Sequence, residues 1–283
     1  MPMIIDKILT SCILIIFFYL IFFIGKKIHD LIHRSYDLND ELVEKDNPAL
    51  ALSVAGYYAG LVFAIGGCIV GPSHGLIADL IDMVIYGFCA IILINLSWFV
   101  CDRLILKHFH VIDELIRDQN QGTGAVSCGV SIASGLIIYG AISGEGGNVW
   151  TAIAFWCIGQ FMLILAGWMY NWITPYCVHE EIERDNVAAG VSFAGALIAM
   201  GIIVGLSAEG DFESWKTDLP RFIYISAIGL VLLPIIRYLT DKVLFPTRTI
   251  TDEIANQEIP NVGVAYIEAF SYIAAAFIIY WTV

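Results

Sequence analysis

Residues 187–207 read VAAGVSFAGALIAMGIIVGLS, a run of 21 residues without a charged side chain. A helix needs about 20 apolar residues to cross the hydrocarbon core of a bilayer. Seven further stretches have a comparable length and composition, so the chain is predicted to cross a membrane eight times. The predicted spans are 8–25, 48–70, 81–101, 122–143, 149–173, 187–207, 221–244 and 260–283.

The composition of the whole chain agrees with a polytopic membrane protein that contacts the lipid bilayer. Hydrophobic residues make up 59% of the 283 residues and charged residues only 14%, whereas soluble domains carry about 25% charged residues. The formal net charge of −13 argues against nucleic-acid binding, which needs a basic surface. The seven cysteines occur singly and are interpreted as small buried hydrophobes.

Lysine and arginine residues gather on one side of the predicted spans. The connections after the first, third, fifth and seventh spans hold most of them, and cytoplasmic loops of membrane proteins carry such an excess. We therefore expect both termini to face outward, into the periplasm of a cell that has two membranes.

A gapless shift of 139 residues superimposes the two halves of the chain. Glu41-x-x-Glu44-Lys45-Asp46-Asn47 falls on Glu180-x-x-Glu183-Arg184-Asp185-Asn186. The chain is therefore predicted to contain two four-helix membrane repeats, residues 1–143 and 144–283, which have the same orientation because each has an even number of spans. A weaker shift of 73 residues aligns Asn47 with Asn120, which indicates two helical hairpins in each repeat.

The second repeat carries the most specific motif. Ile173-Thr174-Pro175-Tyr176 and Glu181-Ile182-x-x-Asp185-Asn186-Val187-Ala188-Ala189-Gly190 resemble the domain-of-unknown-function 350 family of bacterial inner-membrane proteins. The resemblance covers nearly the whole chain, with one copy in each half. It implies a multi-pass protein of the bacterial inner membrane, of unassigned activity, and it supplies no catalytic residues.

The even-numbered spans are rich in glycine, alanine and serine, whereas the odd-numbered spans are rich in phenylalanine and tryptophan. Small residues let helix backbones approach closely in lipid. We therefore predict that the even helices pack inside and that the odd helices face lipid. In front of the second, fourth and sixth spans stand Asp46 with Asn47, Asn120, and Asp185 with Asn186.

These acidic and asparagine residues allow two interpretations. Asparagine is a good helix N-cap, and Asn47 is followed by proline at the first helical position. Alternatively, the same side chains form a ring at a cytoplasmic entrance and bind a cation or a polyamine.

Glu268 is the candidate for an intramembrane ion or proton site. It lies about eight residues, or roughly 12 Å, into the last predicted span. A carboxylate at that depth marks an ion or proton pathway by default, or it has a buried partner. Candidates for a polar lining beside it are Tyr266, Ser53, Ser127 and Ser192.

Two structural alternatives for Glu268 are a hydrogen bond to a neighbouring helix and an ion pair with Arg237. Arg237 itself is predicted to pair with Asp241, one helical turn away.

The histidines form three groups, His29 with His33, His108 with His110, and His179. No cysteine or carboxylate stands at a zinc-motif spacing from them, so no metal site is predicted. His29 and His33 are expected on an amphipathic helix at the membrane surface.

Two functions are compatible with these features. The first is a channel or transporter for a small cation (a proton, a metal cation or a polyamine) built around the even helices. The second is a non-transporting scaffold that recruits cytoplasmic protein partners, for instance in an envelope-stress response. A pathway predicts a wet cavity beside Glu268, and a scaffold predicts dry, close-packed even helices.

Neither function requires a cofactor, and homo-oligomers are expected in both. An enzyme is not expected, because the sequence holds no nucleophile–base pair, phosphate loop or cofactor motif.

Overall fold

The computed structural model describes residues 2–106 and 110–282. His108, from the second histidine group, lies outside these ranges. Within them the chain is helical and has no strand, and eight helices are long and apolar enough to cross a membrane. They are α1 (Pro2–Ile32), α2 (Pro48–Gly66), α3 (Leu76–Val100), α4 (Gln121–Ile142), α5 (Val149–Ile173), α6 (Val187–Ala208), α7 (Trp215–Leu239) and α8 (Val262–Thr282).

The prediction of eight spans is confirmed, and the bounds differ most at α1. This helix continues to Ile32, so His29 belongs to α1 and His33 directly follows it. The expected separate surface helix is therefore the end of α1 itself. His29 lies on the side of α1 that meets α2, where its ring stacks on that of Tyr57 with 4.0 Å between the ring centroids.

The connections at the two ends of the helices differ in length. At one end, which we call the long-connection face, the chain runs through residues 33–47, 101–120, 174–186 and 240–261. Short helices or π-helical turns lie in all four connections. Two π-helical turns, Cys101–Ile105 and Thr240–Leu244, are related by the 139-residue shift, so the repeat extends to this backbone detail.

The even helices α2, α4, α6 and α8 pack side by side in chain order. Glycines let their backbones touch: a Cβ added at Gly135 of α4 would overlap the backbone of Gly60 in α2, and one at Gly190 of α6 would overlap the backbone of Gly122 in α4. At these two contacts, which lie wholly within the described ranges, the backbones touch and leave no room for water between them. Dry packing is the arrangement that the scaffold hypothesis predicts.

The prediction of inner even helices and outer odd helices is confirmed for α4, α6 and α1, whereas the odd helix α5 is as buried as the even helix α2. The residues of α4 and α6 are largely buried, while α1 exposes many large apolar side chains. As the last helix of the row, α8 has a covered face and an exposed face. The exposed face carries Phe270 and Trp281, and the covered face carries Glu268.

Candidate functional site

The asparagines of the repeated motif cap the even helices. The Oδ1 atoms of Asn47, Asn120 and Asn186 accept hydrogen bonds from the backbone N–H groups three residues later, at 3.0, 2.9 and 3.0 Å. The interpretation as N-caps is therefore confirmed. A fourth asparagine, Asn261, caps α8 in the same way at 3.2 Å.

Each of the first three asparagines also joins its connection to the next one along the chain. Their Nδ2 groups donate to the carbonyl oxygens of Leu115, Ile182 and Ile254, at 2.8, 2.6 and 2.8 Å.

The same Nδ2 groups donate to carboxylates just before them in the chain, those of Glu41, Glu114 and Glu181. The three amides are therefore fully engaged and buried, whereas the neighbouring Asp46 and Asp185 are exposed. A cation-binding entrance ring stays a prediction.

Glu268 is fully buried in α8, about 9 Å from the start of this helix. Its Oε1 atom is hydrogen-bonded and ion-paired to the Nη1 of Arg237, which lies in the last turn of α7 and is itself 8% exposed. The alternative of an ion pair with Arg237 is thus the observed one. Buried charges need such pairing, because their desolvation is otherwise very costly.

The predicted pair of Arg237 with Asp241 is wrong. Asp241 lies beyond the end of α7, contacts Lys242 at 3.0 Å and accepts a hydrogen bond from the backbone N–H of Ile250 at 2.7 Å. Arg237 instead points into the bundle, where the Glu268 carboxylate lacks any other cation among the described residues.

Three tyrosines surround this ion pair. The hydroxyl group of Tyr272, one turn after Glu268, donates a hydrogen bond to Oε1 of Glu268 at 3.3 Å. The guanidinium carbon of Arg237 lies 5.8 Å from the ring centroid of Tyr170 and 6.0 Å from that of Tyr176. Burial raises the pKa of Tyr176 to about 12, so this phenol is a neutral proton donor at physiological pH.

Several buried polar atoms of this cluster have no hydrogen-bond partner among the described residues. Buried polar atoms in proteins are nearly always paired, so such a group indicates a place where water, an ion or a moving proton can be accommodated. The unpartnered atoms are Arg237 Nη2, Glu268 Oε2, Tyr170 Oη, Tyr176 Oη and Ser192 Oγ.

A cleft of about 430 Å³ connects Arg237 to the long-connection face. Pro234 and Tyr238 of α7 form one side, and Pro175 and Thr249 of the connections form the other. Arg237 thus belongs both to the buried cluster and to the wall of an open cleft.

Of the predicted polar lining, only Ser192 lies beside Glu268. The prediction for Tyr266 is wrong: two positions along a helix correspond to about 200° of rotation, so Tyr266 lies on the opposite side of α8 and is 61% exposed. Ser53 and Ser127 are buried on α2 and α4, and the hydrogen bonds of Glu268 do not involve them.

Sequence reasoning missed the tyrosines. Tyr272 had a detectable signal, since it stands four residues after the intramembrane glutamate and so shares its helix face. Tyr170 and Tyr176 had none, because their approach to Arg237 depends on how α5 packs against α7.

The comparisons with known proteins agree with this architecture. The family model "Domain of Unknown Function (DUF350)" matches residues 3–142 and 146–283. A UPF0719 transmembrane protein from Aquifex aeolicus (strain VF5) is 22% identical over 273 residues, which cover 95% of this chain and 97% of the relative. No solved structure matches the chain. The chain therefore belongs to the Domain of Unknown Function (DUF350) family and is a multi-pass membrane protein with two tandem copies of that domain.

Proposed function

We propose that this protein transports protons across the bacterial inner membrane and that Glu268, paired with Arg237, is its proton-binding group. The observation that carries the proposal is the buried ion pair, in which each partner keeps one polar atom without a hydrogen bond. Ionisable residues inside a membrane are costly, and they commonly serve ion or proton pathways.

The chemistry of the pair favours a proton over a metal cation or a polyamine. One carboxylate oxygen of Glu268 is occupied by Arg237, and the adjacent guanidinium repels any further cation. A metal ion would also need several oxygen or nitrogen ligands, whereas the groups around Glu268 are a cation, the Ser192 hydroxyl and three phenols. A proton needs only the second carboxylate oxygen, Oε2.

A carrier mechanism fits the packing better than an open pore. The even helices are in backbone contact, and the proton site lies to one side of them, between α6, α7 and α8. Pro234 stands three residues before Arg237, and proline removes one backbone hydrogen bond from the helix. We propose that α7 bends at this proline and moves Arg237 relative to Glu268, which exposes the carboxylate to the cleft.

The excess of lysine and arginine in the long connections supports a cytoplasmic position for the long-connection face. In this arrangement the cleft beside Arg237 opens to the cytoplasm, and a proton leaves or enters Glu268 from that side. Two copies of the chain in a homo-oligomer would carry two independent sites, because each site is completed by one chain.

Proton flux into liposomes tests the proposal. Purified protein is reconstituted into sealed vesicles that contain a pH-sensitive dye, and a pH gradient is applied. We expect wild-type protein to dissipate the pH gradient. In Glu268→Gln the rate of dissipation should be lower on the order of a hundredfold, which is the scale for loss of a positioned proton donor. Potassium and spermidine fluxes should equal those of protein-free vesicles.

Glu114→Gln is the matched control. Glu114 is another buried carboxylate, 7% exposed, but it bonds to the cap residue Asn120 at 2.9 Å and lies outside the ion-pair cluster. Its variant should conduct protons like wild type. Equal flux in wild type, Glu268→Gln and protein-free vesicles would contradict the proposal.

A scaffold that recruits cytoplasmic protein partners is the second candidate. The dry packing of the even helices favours it, as do exposed acidic side chains on the long-connection face, among them Asp37, Glu44 and Glu183. Absence of proton flux, together with a protein partner that is lost when these three residues are replaced by serine, would support the scaffold.

A further inference from the structure

A second polar cluster lies in the first repeat, at the end of α1. A cleft of about 770 Å³ separates this helix end from the connection that follows it. His29 and His33 line the cleft, together with the cations Lys26 and Arg34 and the tyrosines Tyr36 and Tyr58. The proposed proton site lies in the second repeat, so this cleft has no part in it.

Each of the two histidines keeps one buried ring nitrogen without a hydrogen-bond partner among the described residues. Nδ1 of His33 lies 3.0 Å from the carbonyl oxygen of His29. A carbonyl can only accept, so Nδ1 carries the hydrogen. Burial lowers the pKa of His33, which favours the neutral ring, and in the neutral ring with a hydrogen on Nδ1 the Nε2 atom is an acceptor. This atom and Nδ1 of His29 have no partner among the described residues, although the two side chains are only 5% and 6% exposed.

The charged residues of the cleft leave one cation free. Lys26 pairs with Asp30 at 3.0 Å, and the Asp37 carboxylate accepts the backbone N–H groups of Asn39 and Asp40. Arg34 forms no ion pair with any residue in the described part of the chain. A fitting ligand therefore carries hydrogen-bond donors for the histidines and an anionic group for Arg34.

A metal ion fits this donor set less well. In the described ranges, no group of three histidine, cysteine, aspartate or glutamate side chains is arranged to hold one. A primary ammonium group supplies three donors, enough for both histidine nitrogens, and it can also lie against the tyrosine rings.

The cleft lies at the end of α1, where the first candidate membrane span ends. Leu31 and Ile32 are each 56% exposed, and Val43, across the cleft, is 63% exposed. Apolar side chains on both rims are suited to lipid tails, while the polar interior lies at the depth of lipid headgroups.

We propose that this cleft binds the phosphoethanolamine headgroup of a phospholipid from the adjacent leaflet. The ammonium donates to His33 Nε2 and His29 Nδ1, and the phosphate is bound by Arg34 at the mouth of the cleft. The lipid tails extend along the apolar surface of α1. The protein thus recognises zwitterionic phosphoethanolamine lipids and not anionic lipids in general.

Lipid-dependent thermal stability of the full chain in detergent micelles tests this proposal. Phosphatidylethanolamine, phosphatidylglycerol or phosphatidylcholine is titrated in, and the rise of the unfolding midpoint gives an apparent affinity for each. We expect phosphatidylethanolamine to bind most tightly. His33→Phe keeps the ring contact with Trp98 but removes the acceptor. It should therefore lower the apparent affinity for phosphatidylethanolamine about tenfold and leave the affinity for phosphatidylglycerol unchanged.

Arg34→Gln changes an exposed side chain, so the variant should fold. It should bind both phosphatidylethanolamine and phosphatidylglycerol more weakly than wild type. His74→Phe, on the opposite face of the protein, is the matched control and should bind like wild type. The proposal would be overturned if all three lipids gave the same unfolding midpoint. It would also be overturned if His33→Phe and Arg34→Gln bound phosphatidylethanolamine like wild type. Equal stabilisation by soluble phosphoethanolamine at the same concentration would overturn the membrane as the source of the ligand.

Discussion

The free energy of unfolding of the Arg237→Leu variant is expected to be about 3–5 kcal/mol lower than that of wild type, because the substitution leaves the Glu268 carboxylate buried without its cation. Glu268 has no exposed surface, and Tyr272 also donates a hydrogen bond to its carboxylate at 3.3 Å. Unfolding by a denaturing detergent, followed by circular dichroism, measures this difference.

The double variant Arg237→Leu/Glu268→Leu provides the control. Replacing both members of a buried ion pair by apolar residues of similar size is commonly neutral or stabilising. We expect the double variant to regain most of the stability that the single variant loses. Equal stability of Arg237→Leu and wild type would mean that the two side chains do not depend on each other in the folded protein.

The second large effect is expected from Gly135→Ala in α4. An added Cβ would overlap the backbone of Gly60, and backbone atoms cannot rotate away as a side chain can. The two helices would have to separate, at a cost of about 1–3 kcal/mol that is typical of overpacking. Detergent unfolding of this variant measures the loss.

Gly66→Ala is the matched control for this prediction. A Cβ at Gly66 of α2 has nothing within 4 Å, and alanine is a better helix former than glycine by about 1 kcal/mol. The two substitutions are chemically identical, yet the expected changes in stability have opposite signs. A stability loss of the same size in both variants would contradict the close packing of α2 and α4.

The fold was largely predictable because lipid constrains it so strongly. In a bilayer every backbone group must be bonded within its helix, so apolar length alone locates the spans. The caps at Asn47 and Asn186 were also predictable, since they depend on residues three positions apart. The fourth cap, Asn261, was missed because it follows its carboxylate partner Glu253 by eight positions, whereas Asn47 follows Glu41 by six.

The candidate site was predictable only in part. The depth of Glu268 in α8 follows from residue number, but its partner depends on the rotation of α7 about its own axis. The sequence offered two partners for Arg237, Asp241 by helical spacing and Glu268 as an alternative, and only the packing of α7 against α8 selects Glu268. Tyr170 and Tyr176 contact Arg237 although they stand more than 60 residues before it in the chain, a contact that no local pattern contains.

The most direct test of the central claim is to observe the proton on Glu268. Infrared difference spectroscopy of the protein in lipid vesicles, recorded between high and low pH, resolves the carbonyl stretch of protonated carboxyl groups. We predict a band from a carboxyl group in an apolar environment that is present in wild type and in Glu114→Gln and absent in Glu268→Gln. A wild-type spectrum that is identical to that of Glu268→Gln over the whole pH range in which the protein stays folded would contradict the assignment of Glu268 as the proton-binding group.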